Sequence, residues 1–153
     1  MKTSCGVIII NEYNEIFMGH STGNKFYDIP KGLLDPGENE MQCAIRECKE
    51  ETSIDIDSNL LQELGLFSYN KEKNLHLFLI SMKKSEIPIE TLVCNSFFED
   101  FYTKKLKPEV DGFKWISLEK LTESCAKSMG ILLNNLKTEQ KIVYQEKTVK
   151  LKI

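Results

Sequence analysis

Acidic side chains gather on one side of residues 40–52, a segment with the pattern of a helix. Glu47, Glu50 and Glu51 are i, i+3 and i+4 neighbours, so their side chains lie side by side on a helix surface. Like charges at this spacing destabilise an isolated helix by about 0.2–0.5 kcal/mol per pair, and a cation among them would remove that cost. Carboxylate oxygens are the ligands that Mg²⁺ and Mn²⁺ prefer. These residues favour a divalent metal site, with a solvated acidic surface as the alternative.

The helix is predicted from the period of its apolar residues, which recur at i, i+3, i+4 and i+7. This pattern indicates one buried face, and it places the glutamates, including Glu40, on the opposite side. Asn39 is placed to cap the first turn, and Gln42 three residues later completes a capping box. The predicted apolar stripe consists of Met41, Ala44, Ile45 and Cys48.

Strands are predicted on both sides of this helix, which indicates an α/β sandwich with a mixed sheet. Residues 30–32 are predicted to be irregular, because Pro30 cannot donate a ladder hydrogen bond. Residues 83–111 are predicted to be mainly loop. A second helix is predicted over residues 118–136, with Gly130 as its candidate break, and residues 142–153 form a last strand or a tail. The predicted strands cover residues 4–10, 15–19, 26–29, 60–68, 75–82 and 113–116.

Length and composition indicate an ordinary globular chain. The 153 residues suit one domain, 1–153, and 41% apolar with 28% charged residues is typical of soluble proteins. A net charge of −3 disfavours broad, sequence-independent nucleic-acid binding, although it permits recognition of a short end or a mononucleotide. No apolar run approaches the ~18 residues of a membrane span, so no membrane partner is expected.

The cysteine content favours a reducing compartment. The chain has five cysteines without C-x-x-C spacing, which disfavours both a zinc site and a disulfide framework. The N-terminal apolar run is too short for a signal peptide and has no small-residue cleavage site after it. We therefore expect a cytoplasmic protein.

From Gly32 to Ile54 the spacing of the charged residues resembles the Nudix box, Gly-x5-Glu-x7-Arg-Glu-U-x-Glu-Glu-x-Gly-U, where U is a bulky aliphatic residue. Ser53 stands where the family has its second glycine, which normally ends the helix in a left-handed turn. We expect a different helix exit rather than lost activity. The flanking strand pattern extends the resemblance over most of residues 4–137. The matching charged residues are Glu38, Arg46, Glu47, Glu50 and Glu51.

The resemblance implies a Nudix α/β/α sandwich with a central mixed β-sheet and a Mg²⁺-dependent pyrophosphohydrolase, with Mn²⁺ as the alternative cation. It implies that Glu47 and Glu51 bind the metal, and that Glu50 binds it or lies beside its ligands. The carbonyl of Gly32 completes the site. Either Glu47 or Glu50 is the general base. Such a metal neutralises phosphate charge and orients or acidifies a water for attack on phosphorus.

Three further residues of this region have roles implied by the same resemblance. Glu38 and Arg46 form an internal ion pair that holds the loop against the helix. Lys31, just before the box, contacts a phosphate of the substrate; the alternative is a solvated surface lysine.

A second stretch, Pro108 to Trp115 (PEVDGFKW), resembles the PE-x-DG-aromatic-x-W segment of RNA 5′ pyrophosphohydrolases. A related glutamate occurs shortly before a tryptophan in diadenosine tetraphosphate hydrolases. The resemblance implies that Glu109 is a further metal ligand; the alternative is that Glu109 and Asp111 are turn residues. Tyr27 stands in place of the tryptophan of the W-x-x-PKG segment in the same group and is a predicted substrate contact, and Trp115 is expected in the core.

Four aromatic residues crowd the loop over residues 94–102. These residues either hold a nucleotide base over the metals, since aromatic faces stack on bases, or belong to a satellite hydrophobic cluster. They are Phe97, Phe98, Phe101 and Tyr102, of which Phe98 and Phe101 are the predicted substrate contacts. Glu99 and Asp100 are rivals of Glu109 as the extra ligand. His20 is either a phosphate contact or a solvated loop residue.

The predicted function is hydrolysis of a phosphoanhydride in a nucleotide substrate, by a monomer or a homodimer. The favoured substrates are dinucleoside polyphosphates and 5′-polyphosphate ends, including RNA 5′ ends. ADP-ribose, other nucleotide sugars and damaged nucleoside triphosphates are alternatives. A non-catalytic module that binds nucleotides is the alternative from another class, and such modules usually lose box carboxylates that this chain keeps.

Overall fold

Nine strands and three helices are formed by residues 1–146, the part of the chain that the computed structural model describes. The strands are β1 (Lys2–Ile10), β2 (Glu15–Ser21), β3 (Tyr27–Asp28), β4 (Lys31–Leu33), β5 (Gln62–Ser68), β6 (Lys73–Ser81), β7 (Phe97–Glu99), β8 (Leu106–Pro108) and β9 (Val110–Ser117). The helices are α1 (Glu40–Thr52), α2 (Leu121–Ser124) and α3 (Lys127–Thr138). Strands β1–β6 and β9 form one sheet, and β7 pairs with β8 in a separate hairpin.

The centre of the sheet is the parallel pair of β1 and β6. The two strands stay in register from Lys2 opposite Lys73 to Ile10 opposite Ser81. Both strands are nearly continuous apolar runs because both faces of the pair are covered, as is usual for parallel strands. Helix α1 packs on one face, and α2 and α3 pack on the other. This arrangement confirms the predicted α/β/α sandwich with a central mixed sheet.

Alternate residues of β1 face two separate hydrophobic cores. Val7 and Ile9 pack beneath α1 with Cys48, whereas Ile8 packs on the other side with Leu133 of α3. All five side chains are fully buried. Burial of an aliphatic side chain contributes about 1.5–3 kcal/mol relative to exposure, so the core beneath α1 fixes this helix firmly on the sheet.

Strands β1 and β2 separate beyond the turn that joins them. They pair at Ile10 and Ile16, next to that turn. Farther along, β4 pairs with the first half of β1, whereas β3 and β9 pair with β2. The end of β2, the connection from β3 to β4, the start of β9 and the last turn of α1 therefore surround one opening.

Strand β4 contradicts the prediction that residues 30–32 are irregular. Lys31 and Gly32 belong to an antiparallel ladder with β1. Pro30 lies just before this strand, so its missing N–H is not needed in the ladder. Its carbonyl accepts a hydrogen bond from the N–H of Val7 at 3.1 Å. The missing N–H of proline therefore prevents ladder pairing only at its own position, and the residues that follow can form a strand.

The predicted second helix is divided at a different place from the one expected. Its break lies at Cys125 and Ala126, where Cys125 is extended and bridges to Tyr27 of β3. Gly130, the predicted break, lies inside α3. A pairing with a distant strand ends α2, and local sequence signals do not reveal such a pairing.

Helix α1 begins and ends as a capped helix. The side chain of Asn39 accepts from the N–H of Gln42, and the Gln42 side chain accepts from the N–H of Asn39, which confirms the predicted capping box. Ser53 ends the helix in the left-handed conformation with φ 65°. The expectation of a different helix exit is therefore wrong. The Ser53 hydroxyl also accepts from the N–H of Val93 at 3.1 Å, which ties the next loop to the helix.

The remaining predictions on the chain have mixed outcomes. Residues 83–111 contain the short strands β7 and β8 beside two 3₁₀ turns, and β9 begins at Val110, earlier than predicted. Residues 141–146 form no strand, and residues 147–153 of the predicted last strand or tail lie outside the described residues. No helix within residues 1–146 has both the length and the apolar character needed to span a bilayer.

The capping box gives a direct test of α1. Asn39→Ala is expected to lower the free energy of unfolding by about 1 kcal/mol, because the N–H of Gln42 loses its side-chain acceptor. Urea unfolding followed by circular dichroism measures this change. Asn59→Ala is the matched control, since Asn59 is exposed and the hydrogen bond it donates to Asp57 comes from its backbone N–H, which the substitution keeps. Equal stability of the two variants would contradict the role of the box.

Candidate active site

Glu51 is buried in the last turn of α1, although its helical position groups it with exposed acids. The residue is 7% exposed. The helix is rolled so that Cys43, outside the predicted apolar stripe, is fully buried, while Met41 and Ile45 lie at the edge of the core. The placement of Glu51 on the solvated side was therefore wrong. The buried face of α1 is therefore wider than the predicted apolar stripe, and it includes the carboxylate of Glu51.

The charge of Glu51 has little local compensation. The backbone N–H of Lys31 donates to its carboxylate at 3.3 Å, while the Lys31 ammonium pairs with Asp28 at 2.9 Å. Burial raises the pKa of Glu51 to about 8; Lys31 opposes this rise, and the charges of Glu47 and Glu109 add to it. A buried acid among other carboxylates is relieved either by a proton or by a cation.

Gly32 leaves room for the carboxylate of Glu47. A Cβ atom at residue 32 would overlap that carboxylate, so β4 and α1 approach as closely as they do because this residue is glycine. The Glu47 side chain is 12% exposed, and burial raises its pKa while the guanidinium of Arg46 lowers it. The carbonyl of Gly32 accepts from the thiol of Cys43 at 3.5 Å.

Arg46 connects the loop before α1 to the carboxylates of the helix. Its guanidinium makes a two-pronged contact with Glu38, at 2.7 and 3.0 Å, and this contact holds the pKa of Glu38 at about 2. The same guanidinium lies 2.8 Å from Glu47 and 3.3 Å from Glu50. It also donates to the carbonyl of Leu33 at 3.1 Å. Arg46 therefore braces the loop and balances part of the charge on α1.

Glu109 approaches these acids from the other side of the opening, between β8 and β9. Its N–H donates to the carbonyl of Ser96 at 2.8 Å, and its carbonyl accepts from the N–H of Thr22 at 3.1 Å. Its charge raises the pKa of both Glu47 and Glu51, so the three carboxylates act on one another. The tertiary structure thus brings Glu109 to the helix. Its role as a metal ligand stays a prediction.

The donors around this space suit a hard divalent cation. They are the carboxylates of Glu47, Glu51 and Glu109 and the carbonyl of Gly32, all of them oxygen atoms. Within residues 1–146, no three acidic, histidine or cysteine side chains already converge in a metal-ligand geometry. Arg46 holds the Glu47 carboxylate by a hydrogen bond instead. The buried and weakly compensated Glu51 is the observation that indicates a cation.

A cavity of about 360 Å³ opens beside these acids, within the size range of small-molecule sites. Glu51, Glu109 and the pair of Lys31 with Asp28 line it. Thr22 adds a buried hydroxyl that has no hydrogen-bond partner among the described residues. Carboxylates, an ammonium group and a free hydroxyl meet here, a combination that suits a phosphate-bearing ligand. The other lining residues are Gly19, Ser21, Asn24, Ile29, Pro30, Thr52, Phe98 and Val110.

Sequence reasoning missed the polar wall formed by Ser21, Thr22 and Asn24. In the sequence these small polar residues indicate a loop between two strands and nothing more. The feature that indicates a ligand contact is the buried hydroxyl of Thr22, which has no hydrogen-bond partner among the described residues. This feature is visible only in the folded chain.

The predicted aromatic ligand contacts are separated by the fold. Phe98 lines the cavity. Phe101 lies at the turn of the β7–β8 hairpin and is 76% exposed, outside the cavity. The ring of Tyr27 packs edge-on against His20 with Lys114 over its face, and it does not line the cavity. Of the three rings, Phe98 has the position expected of a substrate contact.

Other candidate residues have structural partners. His20 pairs with Asp111 on the side of β2 away from the cavity lining. Asp100 bonds to Lys107 at 3.0 Å, so this rival of Glu109 is engaged at the hairpin. Trp115 is 7% exposed and packs edge-on against Phe17, which confirms its predicted place in the core.

Comparison with known proteins supports both the resemblance to the Nudix box and the α/β/α fold. The model of the NUDIX domain matches residues 2–136. The RNA pyrophosphohydrolase of Pelagibacter ubique is 30% identical over 128 residues, which are 80% of this chain and 80% of that protein. The asymmetrical bis(5′-nucleosyl)-tetraphosphatase of Mus musculus is 28% identical over 137 residues, which are 80% and 81% of the two chains.

Among solved structures, a binary complex of the C. elegans Ap4A hydrolase is similar with a TM-score of 0.61. The similarity covers 90% of this chain and 98% of that chain at 23% identity. At that identity the likeness bears on the fold alone, and it agrees with the α/β/α sandwich described above.

The close approach of β4 and α1 predicts a strong effect of Gly32→Ala. The new methyl group must displace Glu47, so we expect a loss of about 1–3 kcal/mol in the free energy of unfolding and at least tenfold weaker Mg²⁺ binding. Urea unfolding and isothermal titration calorimetry measure the two effects. Gly112→Ala is the matched control, because its Cβ would have its nearest neighbour at 4.0 Å. Unchanged Mg²⁺ affinity in Gly32→Ala would refute this placement of Glu47.

Burial of Glu51 predicts a pH-dependent stability in the metal-free protein. Its pKa is raised from 4.5 to about 8 on folding, so its stabilising contribution is complete below pH 4.5 and is lost as the pH rises through about 8. Glu51→Gln should match the wild type near pH 4.5 and exceed its free energy of unfolding by roughly 2–4 kcal/mol above pH 9.

Urea unfolding in EDTA across this pH range checks the Glu51 prediction. Glu119→Gln, at a side chain that is 83% exposed, should show no such divergence. A constant difference between Glu51→Gln and the wild type at all pH values would show that the carboxylate is not desolvated.

Proposed function

This chain belongs to the NUDIX family and is a pyrophosphohydrolase-type hydrolase, and we propose that it cleaves a phosphoanhydride in dinucleoside polyphosphates or in 5′-polyphosphate ends of RNA. The names of the two curated relatives support these substrate classes. The observation that carries the proposal is the position of Glu51 and Glu109 in the wall of a cavity that also holds Lys31, with Glu47 close enough that its charge raises the pKa of Glu51.

A divalent cation is part of the proposal, with Mg²⁺ favoured and Mn²⁺ as the alternative. When bound, it neutralises phosphate charge and lowers the pKa of a water. The weak compensation of the buried Glu51 charge supports a cation at this place. The residues proposed to hold it are Gly32 through its carbonyl, Glu47, Glu50, Glu51 and Glu109.

Lys31 is proposed to bind a phosphate of the substrate. Its ammonium lies in the cavity wall beside Asp28, and the opposing charge of Asp28 raises the pKa of Lys31 despite its burial. The side chain therefore stays cationic at neutral pH. The free hydroxyl of Thr22 and the amide of Asn24 add hydrogen-bond donors on the same wall.

The general base is proposed to be Glu47 or Glu50. Both carboxylates accept from Arg46, which holds them in place at the edge of the site. They differ in surroundings, because Glu47 is 12% exposed against Gly32 and Glu50 is 42% exposed. A base must lie within hydrogen-bond reach of the attacking water, so the variants Glu47→Gln and Glu50→Gln distinguish the two.

Phe98 is proposed to stack on a base of the substrate. It forms part of the cavity wall together with Glu109 and Val110. Stacking of one base on an aromatic side chain is worth roughly 1–3 kcal/mol, enough to orient a nucleoside while its phosphates lie near Lys31.

Two substitutions separate chemistry from metal affinity. Glu47→Gln is expected to lower kcat at least about a hundredfold, as loss of a metal ligand or base does. Glu109→Ala should mainly raise the Mg²⁺ concentration for half-maximal rate, by about tenfold. Product formation is measured by chromatography with Ap4A, 5′-triphosphorylated RNA, ADP-ribose, nucleotide sugars and nucleoside triphosphates.

Glu119→Gln serves as the control for both substitutions, since this exposed carboxylate lies in the 3₁₀ turn before α2. A Glu47→Gln variant with the wild-type rate, or a wild type inactive on every substrate with Mg²⁺ and with Mn²⁺, would refute the enzymatic proposal. An unchanged Mg²⁺ titration in Glu109→Ala would refute the role of Glu109.

A further inference from the structure

The turn of the β7–β8 hairpin exposes an aromatic and basic surface that the proposed chemistry does not use. Phe101 is 76% exposed and Tyr102 is 90% exposed, and their rings pack edge to face with centroids 5.3 Å apart. The ammonium of Lys104 stands over the Phe101 ring at 4.8 Å. Lys105 follows in the sequence and is also exposed. We call these four residues the hairpin platform.

The hairpin platform is held on an ordered turn. The carboxylate of Asp100 accepts from the N–H groups of Tyr102 and Thr103 at 2.9 and 2.8 Å. The N–H of Asp100 donates to the carbonyl of Lys105 at 2.8 Å, and the Lys107 ammonium lies 3.0 Å from the Asp100 carboxylate. The two exposed rings are therefore presented by a fixed backbone.

The platform lies on the same hairpin as two residues of the cavity region. Phe98 of β7 lines the cavity, and Lys107 stands opposite it in the register, so both project from one face of the hairpin. Glu109 follows directly after β8. At about 3.3 Å per residue, the turn lies roughly 15–20 Å from Glu109. A ligand that leaves the cavity along Phe98 and Lys107 reaches the platform.

The charge of the platform is opposite to that of the chain as a whole. The net charge of the protein is −3, yet Lys104 and Lys105 have no ion-pair partner among residues 1–146, since the nearby Asp100 is paired with Lys107. Aromatic faces and cations side by side are the features that bind single-stranded nucleic acid, the rings by stacking on bases and the cations on phosphates. A protein-docking surface would instead favour a contiguous apolar patch with few lysines.

We propose that the hairpin platform binds the nucleotides that follow the 5′ end of a single-stranded RNA whose polyphosphate lies in the cavity. This inference rests on the proposed function and narrows it. A cavity of about 360 Å³ holds the end group. The platform lies outside the cavity, so only a substrate that continues as a chain contacts it. A 5′-polyphosphate RNA uses both surfaces, and a dinucleoside polyphosphate ends before the platform.

The test compares one long and one short substrate. Phe101→Ala/Tyr102→Ala removes the rings, and Lys104→Asn/Lys105→Gln removes the charges with an asparagine that tolerates the positive φ of residue 104. With an unstructured 5′-triphosphorylated RNA of about ten nucleotides, each double variant should raise KM at least about fivefold with kcat unchanged. With Ap4A, KM and kcat should stay at wild-type values. The lysine variant should also weaken the salt dependence of KM for the RNA.

Tyr13→Ala/Lys84→Ala is the matched control, because Lys84 lies over the exposed ring of Tyr13 at 5.6 Å in the same kind of pair. It should leave both substrates unaffected. Unchanged KM for the RNA in the platform variants, or an equal rise for RNA and Ap4A, would overturn the inference and leave the surface to a protein partner or to none.

A second readout keeps this inference separate from the proposed function. Absence of hydrolysis on every substrate contradicts the proposed function alone. In that case, fluorescence anisotropy with the same labelled RNA and Mg²⁺, in the Glu47→Gln background, still compares Kd with and without the platform residues. A Kd that rises at least about fivefold supports the platform, and an unchanged Kd overturns it.

Discussion

The burial of the Glu51 carboxylate against β4 is the constraint on which the rest of the site depends. Packing of Cys43 and Cys48 onto the sheet pulls α1 toward β4, and this approach is close enough that residue 32 has no room for a side chain. The same packing takes a charge out of water, which raises the pKa of Glu51 to about 8. The hydrophobic cores therefore support a locally unfavourable charge, as functional sites commonly require.

Chemically identical carboxylates in this site have different roles because their surroundings differ. Glu38 faces a guanidinium and keeps its pKa at about 2, so it stays ionised as part of a brace. Glu47 and Glu51 face burial and other acids, which raise their pKa values. Arg46 contacts both kinds of acid and so links the brace to the reactive side. Such a separation of pKa values by environment is common at functional sites, and it agrees with the different roles proposed for Glu38 and for the buried acids.

The residues proposed for catalysis and those proposed for substrate contact lie in different parts of the chain. Helix α1 packs on the core of one sheet face and β4 belongs to the sheet, whereas Glu109, Phe98 and the exposed rings of the hairpin come from the segment after β6. Two hydrogen bonds join the parts, from Val93 to the Ser53 hydroxyl at 3.1 Å and from Asn95 to the Glu50 carbonyl at 2.6 Å. The segment proposed to contact substrate is therefore positioned by the end of the acidic helix.

The sequence by itself determined the helix, its capping box, the central strands and the family, because periodicity, capping and the spacing of the box are local properties. Tertiary structure decided which carboxylate is buried, since Glu51 lies at the border of the helical stripe and the roll of α1 depends on how the helix packs on the core of its sheet face. Tertiary structure also decided that Phe98 lines the cavity while Phe101 lies outside it. The positions of the two rings follow from the register of a hairpin whose strands are three residues long. Pairing between distant segments, such as Cys125 with Tyr27, has no local signal, and for that reason the break in the second helix was misplaced.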